Sequence, residues 1–294
     1  MAAKKTLGRP RTDEHAERRA KVLSFLMQKF YAQDNHWHLS PADLAAEFGW
    51  DLRTARNTLD DITNFIDVIQ VEPGNITSGD DYYYKQQLRS HRKLKDAVAK
   101  RAAELIEPGT SLACASGTTV ALTVRHLIRD HRKFVAIVTN NAGIIDQDVG
   151  NCVQLRFLGG HYFSQAHACT GREVVQILED VRCKTSVIGV SAITAKGSLS
   201  AHHSEELPVA RAIVSCASES ILIVTDVTKL ASNDVWEFAR IPQLLKEDPT
   251  RAIILVTNVP DALARQSDRT KAEAVLGDLE KIKGMRLEVV AGSL

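Results

Sequence analysis

Residues 111–119 read SLACASGTT. A short apolar run of β-type residues ends at a serine and a glycine, and two threonines then open a stretch with helical periodicity. The same step recurs along the rest of the chain. FVAIVT (134–139) passes to Asn140 and Asn141, VQLRFLG (153–159) to Gly160, TSVIGVSA (185–192) to Lys196, Gly197 and Ser198, and ILIVTD (221–226) to Val227, Thr228 and Lys229. AIILVT (252–257) and MRLEVV (285–290) complete the series. Strand-like runs separated by helical patterns predict parallel strands joined by crossover helices, an α/β domain with a Rossmann-like parallel sheet.

In open α/β sheets ligands bind beyond the carboxyl ends of the strands, and here the residues at those ends are small and polar. Ser116, Gly117, Thr118 and Thr119 place a glycine and three hydroxyls where a strand turns into a helix, whose free N–H groups and positive dipole end attract phosphate. A plain capped βα turn would use the same residue types. The spacing matches neither a Walker loop nor a dinucleotide fingerprint. Asn140, Gly160, Lys196, Gly197, Asp226 and Lys229, at the ends of the other runs, complete the expected ligand set.

The N-terminal third is organised differently. Val22, Phe25, Leu26 and Phe30 recur at helical spacing between Arg19 and about Gln33. Ser40 then offers an N-cap, Pro41 suits the first helical position, and Asp43 completes a capping pattern ahead of Leu44, Ala45 and Phe48. Gly49 ends that helix. A third follows from Leu52, with Leu52, Ala55, Leu59 and Ile62 expected inside and Arg53, Thr54, Arg56 and Asn57 outside or flanking. Two short helices joined by a glycine turn fit a helix-turn-helix, and Arg, Thr and Asn suit base edges and phosphates. A small three-helix bundle without a DNA role fits the same spacing. Ile66, Val68, Ile69 and Val71, followed by Glu72-Pro73-Gly74-Asn75, predict a hairpin wing.

The net charge of +1 conceals a strong division. Residues 1–22 carry seven Lys/Arg against three Asp/Glu, residues 23–84 carry three against ten, and residues 85–101 carry seven against one. Because 23–84 is acidic, phosphate neutralisation is expected from elsewhere, and Arg9 and Arg11 flanking Pro10 form a stiff arm suited to a narrow minor groove. An ordinary terminal tail would look alike. Leu94, Val98, Ala102 and Leu105 predict a long helix over about 82–107 with a basic first half. The expected organisation is a basic arm (1–18), a winged helix-turn-helix (19–80), a linker helix (81–108) and an α/β domain (109–294).

Other classes are disfavoured. No apolar run approaches the roughly 20 residues of a membrane span, and the charged N-terminus lacks an apolar secretory segment, so a cytoplasmic protein without membrane partners is expected. Five cysteines without ligand spacing predict free thiols and no metal. His202 and His203 lack a nearby third ligand, and no cofactor is expected.

The stretch LSPADLAAEFGWDLRTARNTLDDI (39–62) resembles the helix-turn-helix of the DeoR family of bacterial regulators, with Thr54, Arg56 and Leu59 matching its recognition helix and Asp51, Ala55, Asn57 and Thr58 departing. SGTT, TNN, LGG, KGSL and DVTK follow in the order of that family's effector domain, which is similar to ribose-5-phosphate isomerase. Ala115 departs from the Asp usual before the serine, and Ala210 stands before Arg211 where Lys-Arg is frequent. The resemblance implies a regulator, a repressor of sugar-metabolism genes, that binds an operator as a dimer or tetramer. It also implies a phosphorylated sugar held near Ser116–Thr119 and Asp226/Lys229. The competing reading is an isomerase with an accessory nucleic-acid-binding domain, using Asp226, Glu205 or Glu206 as base.

Overall fold

The computed structural model describes residues 17–22, 24–25, 38–65, 69–72, 75–77, 84, 87–88, 90–130, 135–145, 147, 153–230, 232, 236–263 and 265–291. The chain divides into two compact units, Met1–Arg89 and Ser90–Leu294. Arg9, Arg11, Leu26 and Phe30 lie outside the described residues.

In the first unit, helical residues 17–22 and 24–25 precede strand β1 (His38–Leu39), helices α1 (Pro41–Phe48) and α2 (Leu52–Phe65), and strands β2 (Ile69–Glu72) and β3 (Asn75–Thr77). The three strands pair antiparallel in the order β1-β3-β2. Ser40 caps α1 as its sequence predicts. Its Oγ accepts from the Asp43 amide at 3.3 Å, and the Asp43 carboxylate accepts from the Ser40 amide at 2.7 Å. Gly49 closes the helix with φ of +64°, a backbone region that glycine enters without steric cost. Val22, Leu39, Leu44, Ala55, Leu59 and Ile62 form the core, flanked by Phe25 edge-on to Phe48 and by Trp50 stacked on Phe48. Leu52 departs from its expected inner place and is 62% exposed. It stands at the first position of α2, at the end of the stripe, whereas buried Thr58 lies inside and returns its hydroxyl to the Thr54 carbonyl.

The expected continuous helix over 82–107 is corrected. Helix α3 (Arg92–Leu105) begins only after a turn at Ser90 and His91, because His91 adopts φ of +52°, which a right-handed helix cannot include. Leu94, Val98, Ala99 and Ala102 bury this helix in the second unit, so it is part of that unit's core.

All seven strand-like runs join one parallel sheet. Strands β4 (Ser111–Cys114), β5 (Val135–Thr139), β6 (Val153–Phe157), β9 (Cys183–Gly189), β12 (Ala217–Val224), β14 (Ala252–Asn258) and β15 (Met285–Val290) lie in the order β15-β14-β12-β9-β4-β5-β6. Alternate residues serve two cores. Leu112, Leu222 and Val224 pack with Val98, Val120 and Val124 on one face, while Ala113, Ile221 and Ile223 pack with Val174, Ile213 and Leu276 on the other. Burial on both faces explains the continuous apolar runs. From β4 the chain proceeds to β5 and β6 on one side, then returns to β9 and builds the other, so the order reverses between β4 and β9.

Two small additions were not legible in the periodicity. Strands β7 (His161–Phe163) and β8 (Ala168–Thr170) form a hairpin, and β10 (Ala192–Ile193), β11 (Ser198–Ala201) and β13 (Trp236–Arg240) form an antiparallel sheet. Runs this short present too few alternations to stand out from loops.

Candidate functional site

The reversal between β4 and β9 opens a crevice at the carboxyl ends of those strands, and the SGTT turn occupies it. Gly117 has φ of +117° and ψ of 149°, a conformation essentially reserved for glycine. It leads into helix α4 (Thr118–Arg129), whose N-terminus has no side-chain cap among the described residues. Its first-turn N–H groups are therefore available to an anion. Asn141 fixes the turn from the neighbouring strand end, its Nδ2 donating to the carbonyls of Ala115 at 3.1 Å and Gly117 at 3.0 Å while its Oδ1 accepts from the Gly143 amide. Thr118 and Thr119 are buried, and the Ser116 hydroxyl donates to Glu206 Oε1 at 2.9 Å. Glu206 thus borders the cradle.

Asn140 is 1% exposed. Its Nδ2 donates to the Cys169 carbonyl at 2.8 Å, and its Oδ1 is buried with no hydrogen-bond partner among the described residues. An orphaned acceptor of this kind is costly unless a bound group supplies a donor.

On the other side of the crevice, Asp226 is 1% exposed and accepts at Oδ1 from the Thr228 amide at 3.1 Å and from the Thr228 hydroxyl. The Lys229 amide donates to the Asp226 carbonyl, closing the turn that places both side chains at one strand end. A third ionisable group faces this turn. Lys95, on the first turn of α3 and 2% exposed, is held at a pKa of about 8 by burial first and by Lys229, against the pull of Asp226. His91, exposed as a residue, is held below the ordinary histidine value by partial desolvation of its ring and by Lys95 and Lys229, again opposed by Asp226. Lys95 falls in the basic first half of the helix expected over about 82–107. It is adjacent to Leu94 and three residues before Val98, on the edge of the buried stripe, which was the available signal. A buried amide completes the arrangement: Asn258 Oδ1 accepts from the Val227 amide at 3.3 Å and its Nδ2 donates to the Leu94 carbonyl at 3.2 Å.

The remaining expected ligands are placed differently. Gly160 is required by close approach, because a Cβ there would lie 2.7 Å from the Thr170 carbonyl oxygen and from Val174 Cγ2. Lys196 and Gly197 form the turn between β10 and β11, with Lys196 exposed and Gly197 packed beside Ile241, Pro242 and Ile282. Among the described residues neither side chain nor backbone of this pair is hydrogen-bonded to Ser116–Thr119, Asn140, Asp226 or Lys229. Arg211 spends its guanidinium on the carbonyls of Phe238 and Glu237.

In the first unit, Arg53, Arg56 and Asn57 are exposed along α2. Thr54 has a different local duty: its amide and hydroxyl both donate to the Asp51 carboxylate, at 2.9 and 2.7 Å, which caps α2 and holds the Asp51 carboxyl below its ordinary pKa. The Ser40 hydroxyl likewise donates to Asp43 at 2.7 Å. Both hydroxyl hydrogens are committed to helix caps, leaving only their lone pairs for another partner.

Residues 90–245 match the family described as the DeoR C terminal sensor domain. The chain is 28% identical over 229 residues to a protein assigned as aga operon transcriptional repressor in Escherichia coli O157:H7, covering 76% of this chain and 81% of that one. It is 26% identical over 261 residues to the glycerol-3-phosphate regulon repressor of Haemophilus influenzae, covering 81% and 96%. Ribose 5-phosphate isomerase A from Methanocaldococcus jannaschii overlaps at TM-score 0.36 and 17% identity, over 47% of this chain and 54% of that one, too little to carry any argument. No helix among the described residues is long and apolar enough to cross a membrane.

Proposed function

This chain belongs to the DeoR family of transcription regulators, and we propose that it represses genes of sugar metabolism by binding operator DNA and releasing it when a phosphorylated sugar occupies the second unit. The relatives named above are transcriptional repressors, one of them of a glycerol-3-phosphate regulon. The observation that carries the ligand assignment is the uncapped N-terminus of α4 behind Gly117, opening at the strand-order reversal two strands from the Asp226–Lys229 turn, where Lys95 is buried.

Within this reading the phosphate rests on Ser116, Gly117, Thr118 and Thr119, and Lys229 adds a charge-assisted contact. Asp226 and Asn140 meet sugar hydroxyls. Arg53, Arg56 and Asn57 address the major groove from α2, with Arg9 and Arg11 as a minor-groove arm and the Ser40 and Thr54 oxygens at the helix ends. A dimer or tetramer binds duplex DNA. The ligand is sensed and not turned over. As functional divisions this reading takes 1–18, 19–80, 81–108 and 109–294, with the division between the compact units, Arg89/Ser90, inside the third.

The test combines retardation of a promoter fragment with proton NMR of the ligand. Lys229→Ala should still retard the fragment and should no longer release it when ribose, fructose or glucosamine phosphates are added. Interconversion of aldose and ketose phosphates by the wild-type protein over hours, lost in the same variant, would establish the isomerase reading instead.

A further inference from the structure

Buried hydroxyls in a folded protein find partners, because an unmet hydroxyl costs about 1–3 kcal/mol. Ser191 is an exception in this chain. It is 6% exposed, and its Oγ has no hydrogen-bond partner among the described residues. Its amide is committed, donating to the Ser200 carbonyl at 2.8 Å.

Its position is set by the strands on either side. Ser191 is the second residue beyond β9, and β9 lies between β4, which carries the SGTT turn, and β12, which carries Asp226 and Lys229. A Cβ on Gly189, the last residue of β9, would lie 3.7 Å from the Ser116 carbonyl oxygen and 4.0 Å from that of Val224. Immediately after Ser191, β10 packs against the turn Val227–Leu230. The hydroxyl therefore belongs to the stretch that separates the phosphate cradle from the Asp226 turn. Neighbouring strands are about 5 Å apart, so a ligand reaching from β4 to β12 spans about 10 Å and crosses the end of β9 midway.

We propose that Ser191 is a specificity-determining contact of the effector site, hydrogen-bonding a mid-chain hydroxyl of a sugar phosphate whose phosphate lies on Ser116–Thr119 and whose far end lies at Asp226. This rests on the ligand assignment made above and adds to it the recognition of ligand length. A ligand of phosphate alone does not reach Ser191. A pentose or hexose phosphate does.

Titration calorimetry on the full chain, wild type and Ser191→Ala, with inorganic phosphate, glycerol 3-phosphate, ribose 5-phosphate, fructose 6-phosphate and glucosamine 6-phosphate, tests this. The expected result is that the substitution weakens whichever pentose or hexose phosphate the wild type binds by about threefold to tenfold more than it weakens inorganic phosphate. The melting temperature without ligand should not fall, since the folded protein loses no hydrogen bond made by that hydroxyl. Equal weakening of all ligands, or a lower melting temperature with unchanged ligand discrimination, would mark a structural hydroxyl and overturn the inference while leaving the sensor reading intact. Failure of the wild type to bind any of the five would overturn both.

Discussion

The side-chain amide of Asn258 donates to the carbonyl of Leu94 at 3.2 Å, joining the end of β14 to the first turn of α3. The same side chain accepts from the Val227 amide beside Asp226. One fully buried residue thus holds the turn that carries Asp226 and Lys229 against the helix that begins just after the division between the two units.

Replacing Asn258 by alanine takes the side-chain acceptor from the buried Val227 amide and the tie to the Leu94 carbonyl, so stability should fall by about 1–3 kcal/mol. The variant should also show a smaller change in DNA affinity on adding a sugar phosphate, because the two elements no longer move together. Denaturant melts and gel retardation with and without ligand measure the two effects. A full ligand response in a destabilised protein would show that Asn258 serves packing alone.

Lys95 predicts a pH dependence of definite sign. Its folded pKa of about 8 lies below the ordinary lysine value of 10.5, so the unfolded chain binds more protons between those values and stability rises with pH across that window. Effector affinity should move oppositely, falling above about pH 8 as the ammonium that faces the ligand is lost. Lys95→Met should raise stability at pH 7 by about 1–2 kcal/mol and flatten both profiles. Thermal melts and calorimetry from pH 7 to pH 10 provide the check, and unchanged profiles in the variant would assign the titration to another group.

Gly117→Ala separates backbone strain from crowding. A Cβ at this position meets no atom within 4 Å, yet φ of +117° is closed to alanine. The cost should be about 1–3 kcal/mol, taken either as lost stability or as a rearranged turn that no longer presents its amides. Inorganic phosphate, expected to raise the melting temperature of the wild type, should fail to do so in this variant. An undiminished phosphate shift would move the anion site elsewhere.

On the DNA side, Arg56→Ala should weaken operator binding by about 1–3 kcal/mol, and Arg53→Ala,Arg56→Ala should lower the salt slope by about one for each phosphate contact removed. Retardation of the protein's own promoter fragment across a salt series measures both. Unchanged binding by the double variant would defeat this placement of the recognition helix.

Sequence alone determined what a single element records in its own pattern. The seven apolar runs announced the parallel sheet, since strands buried on both faces need no polar alternation. Ser40 with Asp43, and Gly49 beyond Phe48, announced both ends of α1 through bonds spanning only a few residues. SGTT announced the glycine turn that opens α4. Tertiary structure alone decided how distant segments meet: Lys95 turned inward to Asp226, His91 broke the expected long helix, and Gly160 and Gly197 became packing positions. Asn141, Ser191 and Asn258 are ordinary polar residues in the sequence and gain their meaning from partners, or from a missing partner, brought close by strand order. The reason is physical. Periodicity reports which face of an element is buried, whereas the groups facing one another across the crevice depend on contacts whose residues are far apart along the chain.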